Sequence, residues 1–415
     1  MEGKTVRETV RIYETEGLTL KFEAEVVSCG ALTGAAGKYG IVLDRTAFFP
    51  GGGGQEFDTG SIDGLAVTKV FLREETGEIC HVADGPLEPG RGVHCCVDRG
   101  KRIPRMECHT GEHIFSGTVH RLFGLNNVGF HMGTDYLTLD FDGPLDAAKL
   151  RAAENAANDA IRQNLPVNIL FPDPEELSRM DYRSKKELSG NVRIVSIEGV
   201  DVCACCAPHF PSTGRVGFIT VLSHVPYKGG TRLSVLAGRA AVNETLAMLD
   251  ALKSSAALLS LKPGEVPEGV EKLLSQLEDL RRAKNALTYD LCAEKLSRHS
   301  RTGQSSRQGG ENGYSLLVYD DVEPRTVIRL ADDLCGDDFF FMAVIGAPGK
   351  KRYIIKSGKA DLKAALPFIN GIMRGRGGGK PGEVSGSTEL SDRGEIEKAA
   401  KALFEKLSDN IADKA

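Results

Sequence analysis

Two short stretches of the chain carry side chains that bind metal ions. In RMECHTGEHIFSG, His109 and His113 lie four residues apart. On a helix that spacing points both imidazoles the same way, so they can share one ion. In DVCACCAPHFPSTG, Cys205 and His209 repeat the spacing in a turn-like stretch, with Cys203 and Cys206 as alternative sulfur donors. Imidazole and thiolate together suit zinc better than magnesium or calcium. His120 shares the helical face but lies ~10 Å further along the axis than His113, too far to join the site. HTGEH also matches the inverted zinc peptidases, in which the glutamate beside the second histidine activates water. That reading needs a downstream acid such as Glu187 or Glu198, and it leaves Cys205 and His209 without a role.

A third stretch, DRTAFFPGGGGQEFDTGSI, places four consecutive glycines after a proline. No regular element accommodates them; they predict a loop whose backbone can take positive φ and approach a ligand closely.

The elements around these stretches read as an α+β multidomain chain. From Val10 to about Asp98, short β-rich runs such as LTLKFEAEVVSC, YGIVLD and LAVTKVFL are separated by glycine clusters and predict a small antiparallel β-barrel, over 1–98 with the chain start. Helical periodicity begins at Arg105 and runs to Phe123, with Phe115, Val119, Leu122 and Phe123 on one stripe and Gly124 as the stop. A second helical run, DAAKLRAAENAANDAIRQN, and further strands complete an α+β segment over 99–240. Over 241–299 the leucines take a roughly heptad spacing, broken at KPGEVPEG, which fits a helical hairpin or a dimerising coil. SRTGQSSRQGGENG then reads as a flexible linker over 300–313. The segment 314–415 reads as a small α/β domain with a loop RGRGGGKPGEVSGS and a closing amphipathic helix over Ile396 to Leu407.

With 415 residues, 41% of them hydrophobic and 26% charged, the composition is that of a globular multidomain protein. The net charge of -5 excludes a general polycation, so any nucleic-acid contact must be local. Such a patch exists: Lys350 to Lys380 holds nine Lys or Arg and one acid, Asp361. The N-terminal stretch lacks the apolar run of a signal peptide, and no segment approaches the ~18 apolar residues of a membrane span. A soluble, cytoplasmic protein is therefore expected, its ten cysteines reduced or ligating metal rather than paired.

The succession DRTAFFPGGGGQ, RMECHTGEH and GVDVCACCAPHFPSTGRVGFI resembles the editing domain of alanyl-tRNA synthetases and their freestanding relatives, the AlaX-type alanyl-tRNA editing hydrolases. The tail GRGGGKPG resembles the glycine-rich loop of the DHH-associated domain of the longer members. The resemblance implies a zinc site of His109, His113, Cys205 and His209, and roles for Gln55 and Thr46 beside it. It also implies an editor without the synthetase, acting on serine, or glycine, esterified to tRNA(Ala). Where the family usually reads Cys-Gly-Gly-Thr-His, this chain has Cys-Cys-Ala-Pro-His, a bulkier and stiffer loop.

That chemistry has a physical rationale. A pocket built for alanine cannot exclude the smaller glycine and rejects an added hydroxyl only ~100-fold. A second hydrolytic site can use the hydroxyl as a positive signal, with Thr46 and Gln55 as candidate partners. Zinc in such a site polarises the ester carbonyl, activates water or anchors the amino group, each of which needs an open position, whereas four protein ligands close a tetrahedron. Glu112, beside a ligand, is a candidate base. Lys351, Arg352, Arg374, Arg376 and Lys380 are expected to hold tRNA phosphates, and a homodimer through the helices or the last domain is a further expectation. A non-catalytic, zinc-stabilised tRNA- or protein-binding relative is the competing reading.

Overall fold

A computed structural model describes residues 9–35, 37–133, 136–184, 192–301, 314–320, 322–334, 339–347 and 349–412. Most of the expected linker over 300–313, and Glu187, fall outside the described residues. The chain forms two compact units, 1–254 and 255–415.

In the first unit the glycine-punctuated runs become six strands: β1 (Lys21–Ala31), β2 (Tyr39–Leu43), β3 (Gly60–Ile62), β4 (Leu65–Leu72), β5 (Ile79–Ala83) and β6 (Gly92–Val97). They close a barrel in the order β1-β2-β5-β4-β3-β6, antiparallel throughout. Closure removes both free edges. Val26, Leu43, Ile62, Val67, Val70, Ile79, Val93 and Val97 fill the interior.

Helix α1 (Arg99–Phe123) begins six residues before the expected Arg105. Pro104 reads as a helix breaker, but Asp98 starts the helix upstream of it by accepting from the Gly100 amide at 2.8 Å. Gly124, at φ +69°, ends it. Beside α1 lies an antiparallel sheet of β7 (Asn127–Met132), β8 (Leu137–Phe141), β12 (Ile219–Tyr227) and β13 (Gly230–Ala237), in the order β12-β13-β8-β7. Helix α2 (Ala147–Arg162) is capped by Asp146 and buries Leu150, Ala153 and Ala157 in the same core as Phe115 and Val119 of α1. Leu122, the third residue of the expected stripe, is exposed. A three-stranded antiparallel sheet, β9 (Val167–Leu170), β10 (Ile194–Ile197) and β11 (Asp201–Ala204), brings the cysteine-rich segment to α1. Gly117 permits this approach: a Cβ there would lie 2.5 Å from the Val200 carbonyl and from the Asp201 Cβ. Cys29, Cys80, Cys95, Cys96, Cys108, Cys203, Cys205 and Cys206 are free thiols rather than disulfide partners.

The glycine-rich loop is fastened to α1 by charge. Asp58 and Phe49 close the loop through two bonds, Asp58 N–H to Phe49 O at 2.9 Å and Phe49 N–H to Asp58 Oδ2 at 2.8 Å. The fully buried Arg102 grips Asp58, its Nε lying 3.0 and 3.2 Å from the two carboxylate oxygens, and also donates to the carbonyls of Gly17 and Ala47. One turn on, Arg105 donates to the Phe57 carbonyl at 2.7 Å.

Helix α3 (Arg239–Leu259) spans the division between the units, and α4 (Val266–Arg301) follows after a short turn at Pro263–Glu265. Leu249 and Leu252 on α3, and Leu273, Leu277, Leu280 and Leu287 on α4, are exposed. The second unit holds a five-stranded sheet of β14 (Tyr314–Tyr319), β15 (Phe340–Ile345), β16 (Arg352–Ser357), β17 (Gly377–Lys380) and β18 (Glu383–Ser387), in the order β14-β15-β16-β18-β17. β14 and β15 are parallel and joined through α5 (Pro324–Leu334), and a short helix, α6 (Leu366–Ile372), precedes β17. Alternate residues of β15 face two cores, one with α5 and one with α7 (Arg393–Ala412), whose Ile396, Ala400, Leu403 and Leu407 are buried. The stretch expected as a loop, RGRGGGKPGEVSGS, holds the β17–β18 hairpin instead. Its glycines admit the Tyr353 ring, since a Cβ on Gly377 would lie 2.0 Å from Tyr353 Oη. Among the described residues, no helix is long and apolar enough to cross a membrane.

Removing one partner of a buried ion pair leaves an uncompensated charge. Arg102→Met is expected to destabilise the first unit by about 3–5 kcal/mol, and Arg102→Met with Asp58→Leu to recover a large part of that loss. Urea titration of the three proteins checks both expectations.

Candidate metal centre

Four of the residues singled out by spacing meet. His109 and His113 project from one face of α1, and Cys205 and His209 enter from the turn after β11. Their ligand atoms all lie within 4.8 Å of one another. Cys205 Sγ is 3.3 Å from His109 Nε2 and 3.3 Å from His209 Nε2. Tetrahedral zinc, with Zn–N of about 2.0 Å and Zn–S of about 2.3 Å, sets ligand atoms about 3.5 Å apart. The donor set and its spacing therefore fit zinc.

The far side of each ring explains why the Nε2 atoms face inward. His109 Nδ1 meets Gln55 Oε1 at 3.1 Å, His113 Nδ1 meets Asp201 Oδ2 at 2.8 Å, and His209 Nδ1 meets Thr110 Oγ1 at 3.3 Å. Amide and carboxylate oxygens only accept, so Nδ1 of His109 and of His113 carries the proton and Nε2 keeps its lone pair for a metal. Arg183 binds both oxygens of Asp201, at 2.7 and 2.9 Å, and so orients the carboxylate. The ligand turn is itself held in place. Arg193 donates to the carbonyls of Cys205 at 2.6 Å and Ala207 at 3.0 Å, and the Phe210 amide donates to Thr110 Oγ1.

Charge and burial separate the three candidate sulfurs. Burial pushes the Cys205 thiol up, but the imidazoles of His109 and His209 outweigh it and hold the thiol well below its ordinary range. Burial raises Cys203, and it pushes Cys206 up to about 11. Burial pushes the His209 imidazole down to about 3, with the Cys205 sulfur working the other way. Burial also works against the Asp201 carboxylate, yet His113 and Arg183 hold its pKa below the usual range. Cys205 is thus the sulfur shaped as a thiolate ligand. Cys203 sits instead with His113 and Asp201, and Cys206 is exposed near the glycine loop, where a Cβ on Gly52 would lie 3.5 Å from its sulfur.

The remaining expected residues fall in different places. Gln55 is buried beside His109. Glu112 is buried rather than solvent-facing: its Oε1 accepts from Ser116 Oγ at 2.8 Å and Asn127 Nδ2 at 2.6 Å, and its Oε2 lies 3.8 Å from His113 Nε2. Thr46 is fully buried in the barrel, bonded to His81 Nε2 at 2.8 Å and accepting from the Phe48 amide. Glu198, the peptidase-type alternative, is exposed and absent from the donor cluster. In the second unit Arg352, Arg374, Arg376 and Lys380 are exposed, whereas Lys351 is buried, its ammonium 3.4 Å from the Ser391 carbonyl and 3.6 Å from Asp320. Asp58, Arg102, Thr110, Arg183, Arg193 and Asp201 were not singled out by spacing. Only Asp201 left a trace, as an acid four residues before Cys205.

The family model described as "Threonyl and Alanyl tRNA synthetase second additional domain" matches residues 192–234, which contain Cys205 and His209. The Alanine--tRNA ligase of Methanopyrus kandleri is 29% identical over 389 residues, 90% of this chain but 42% of that protein. The Alanyl-tRNA editing protein Aarsd1-B of Xenopus laevis is 28% identical over 407 residues, 93% of this chain and 94% of its own length. The C-Ala domain of Aquifex aeolicus alanyl-tRNA synthetase aligns at 24% identity over 24% of this chain and 94% of that one, with a TM-score of 0.22.

Because the carboxylate that accepts from His113 Nδ1 raises the ring's basicity as a ligand, Asp201→Asn is expected to weaken zinc binding by about 10- to 100-fold, and His109→Ala by more. Competition against a chromogenic chelator measures both. Zinc affinity equal to that of the unaltered protein in either variant would contradict the ligand assignment.

Proposed function

Because the chain is an AlaX-type relative of the alanyl-tRNA editing proteins along nearly its whole length, we propose that it is a trans-acting deacylase. It hydrolyses the ester that joins serine, and also glycine, to the terminal adenosine of tRNA(Ala). The observation that carries this reading is the convergence of His109, His113, Cys205 and His209 beneath the glycine loop, with Gln55 bonded to the first of them.

Bound zinc supplies Lewis acidity, polarising a carbonyl or lowering the pKa of water. The chain's own groups do the rest. The glycine loop carries no side chains over Gly51–Gly54, so the splayed terminal nucleotide and its ester can lie against backbone. Glu112, held by Ser116 and Asn127, is the group for taking a proton from the attacking water. Thr46 is a candidate for reading serine's hydroxyl through its oxygen alone. His81 donates from Nδ1 to the Ile41 carbonyl, and burial keeps its ring neutral by pushing the pKa down to about 4, so its Nε2 accepts a hydrogen bond from the Thr46 hydroxyl. The Cys-Cys-Ala-Pro-His turn, pinned by Arg193, makes the pocket wall stiffer than a glycine-rich turn would.

Purified protein incubated with seryl-, glycyl- and alanyl-tRNA(Ala) is expected to release serine in a chelator-sensitive manner and to spare alanine. Equal release of all three amino acids would refute the selectivity, and no release would favour a non-catalytic binder. The exposed cations of the second unit serve the tRNA backbone. Neutralising Arg352, Arg374, Arg376 and Lys380 together is expected to weaken tRNA binding about tenfold or more at low salt and to flatten its salt dependence. Filter binding across a salt series reads both effects, and unchanged affinity would remove the patch from the interface.

A further inference from the structure

We infer that Gln55 donates, through its side-chain Nε2, to the ester oxygen that becomes negatively charged during hydrolysis; the inference rests on the deacylase reading above. Gln55 is 3% exposed, and its two side-chain polar atoms have different fates. Oε1 is taken by His109 Nδ1 at 3.1 Å. A ring that gives Nε2 to a metal keeps its proton on Nδ1, so the amide atom facing it must be the oxygen. Nε2 is then left buried without a hydrogen-bond partner among the described residues. A buried donor without an acceptor is costly, and at a candidate active site a catalytic role is one of the explanations such an orphan calls for.

The loop prevents the amide from turning to a partner of its own. Gly52 and Gln55 exchange backbone bonds, N–H to O at 3.0 Å in each direction, which fixes the backbone from which the side chain leaves. Between them, Gly53 and Gly54 are exposed, and a Cβ on Gly53 would lie 4.0 Å from the His109 ring. The exposed, bare backbone of Gly53 and Gly54 is the side from which a substrate oxygen would reach the amide.

The atom on offer decides what it can read. Serine's hydroxyl oxygen could also accept from this N–H, but every aminoacyl ester presents a carbonyl oxygen, and only that oxygen gains negative charge as the ester is hydrolysed. As water's oxygen bonds to the carbonyl carbon, the C=O π pair moves onto that oxygen, and one water proton passes to a base. Collapse re-forms the C=O bond and breaks the bond to the ribose oxygen, which takes up a proton. The products are the free amino acid and a tRNA ending in a hydroxyl. A donor aimed at the carbonyl oxygen is strongest when the oxygen bears the charge, so it lowers the barrier without tightening substrate binding.

Gln55→Glu keeps an oxygen for His109 and removes the donor, whereas Gln55→Met removes both. For Gln55→Glu, kcat on seryl-tRNA(Ala) is expected to fall about 10²- to 10³-fold, with KM and zinc content little changed. Because the carbonyl is common to all esters, the ratio of seryl to glycyl hydrolysis should also stay constant. A phosphonate mimic of the tetrahedral species, tethered to adenosine, should lose affinity by a similar factor, and an amide-linked serine analogue should not. A kcat within about threefold of the unaltered protein, a selective loss of serine over glycine, or loss of zinc from Gln55→Glu would each overturn the assignment. If the unaltered protein hydrolyses no ester, the deacylase reading fails, and equal phosphonate binding by protein and variant overturns this inference separately.

Discussion

The first unit is organised around one buried ion pair. Arg102 and Asp58 lie 44 residues apart, at 0% and 1% side-chain exposure. Burying two charges is expensive, and the expense is offset only when the geometry is good and the remaining donors are satisfied. Here they are: the guanidinium also serves the carbonyls of Gly17 and Ala47, and Asp58 also accepts from the Phe49 amide. The pair therefore joins the N-terminal segment, the glycine loop and α1 at a single point. From Arg102, α1 carries the alignment forward two turns to His109, where the loop returns through Gln55.

A second layer of polar contacts takes the alignment from helix to the candidate metal site. The three imidazoles are anchored by three different parts of the fold: the glycine loop, β11, and α1 itself through Thr110. Each anchor fixes a ring's rotation about its χ angles and, for His109 and His113, its tautomer as well. The absence of a side chain at Gly117 is what brings Asp201 close enough to serve as one of them. The site is thus a product of tertiary packing as much as of its four donors.

What could be read from sequence divides along the same line. His109, His113, Cys205 and His209 announce themselves because ligand chemistry restricts residue type and a helix restricts spacing. The glycine loop is equally legible, since four consecutive glycines fit no regular element. The barrel strands show by alternation, and α2 by its periodicity. The partners that place the ligands leave no such pattern: Asp58, Arg102, Arg183 and Asp201 are ordinary charged residues until the fold buries them. Pro104 hid the first turn of α1, because a proline suggests a break where Asp98 had already nucleated the helix. The glycines at 377–379 suggested a loop where a tyrosine ring needs bare backbone in a strand. Lys351 looked like part of a cationic surface because sequence does not show that its ammonium turns inward.

Gly54 has a meaning beyond its own conformation. Its φ is +85°, and a Cβ there would come within 2.5 Å of the Phe130 ring, which in turn packs edge-on against His109 at 5.2 Å. Any methyl group at position 54 would push that ring toward the imidazole or out into solvent. The room around the His109 ring is therefore set by a missing carbon atom in the loop rather than by the donors themselves.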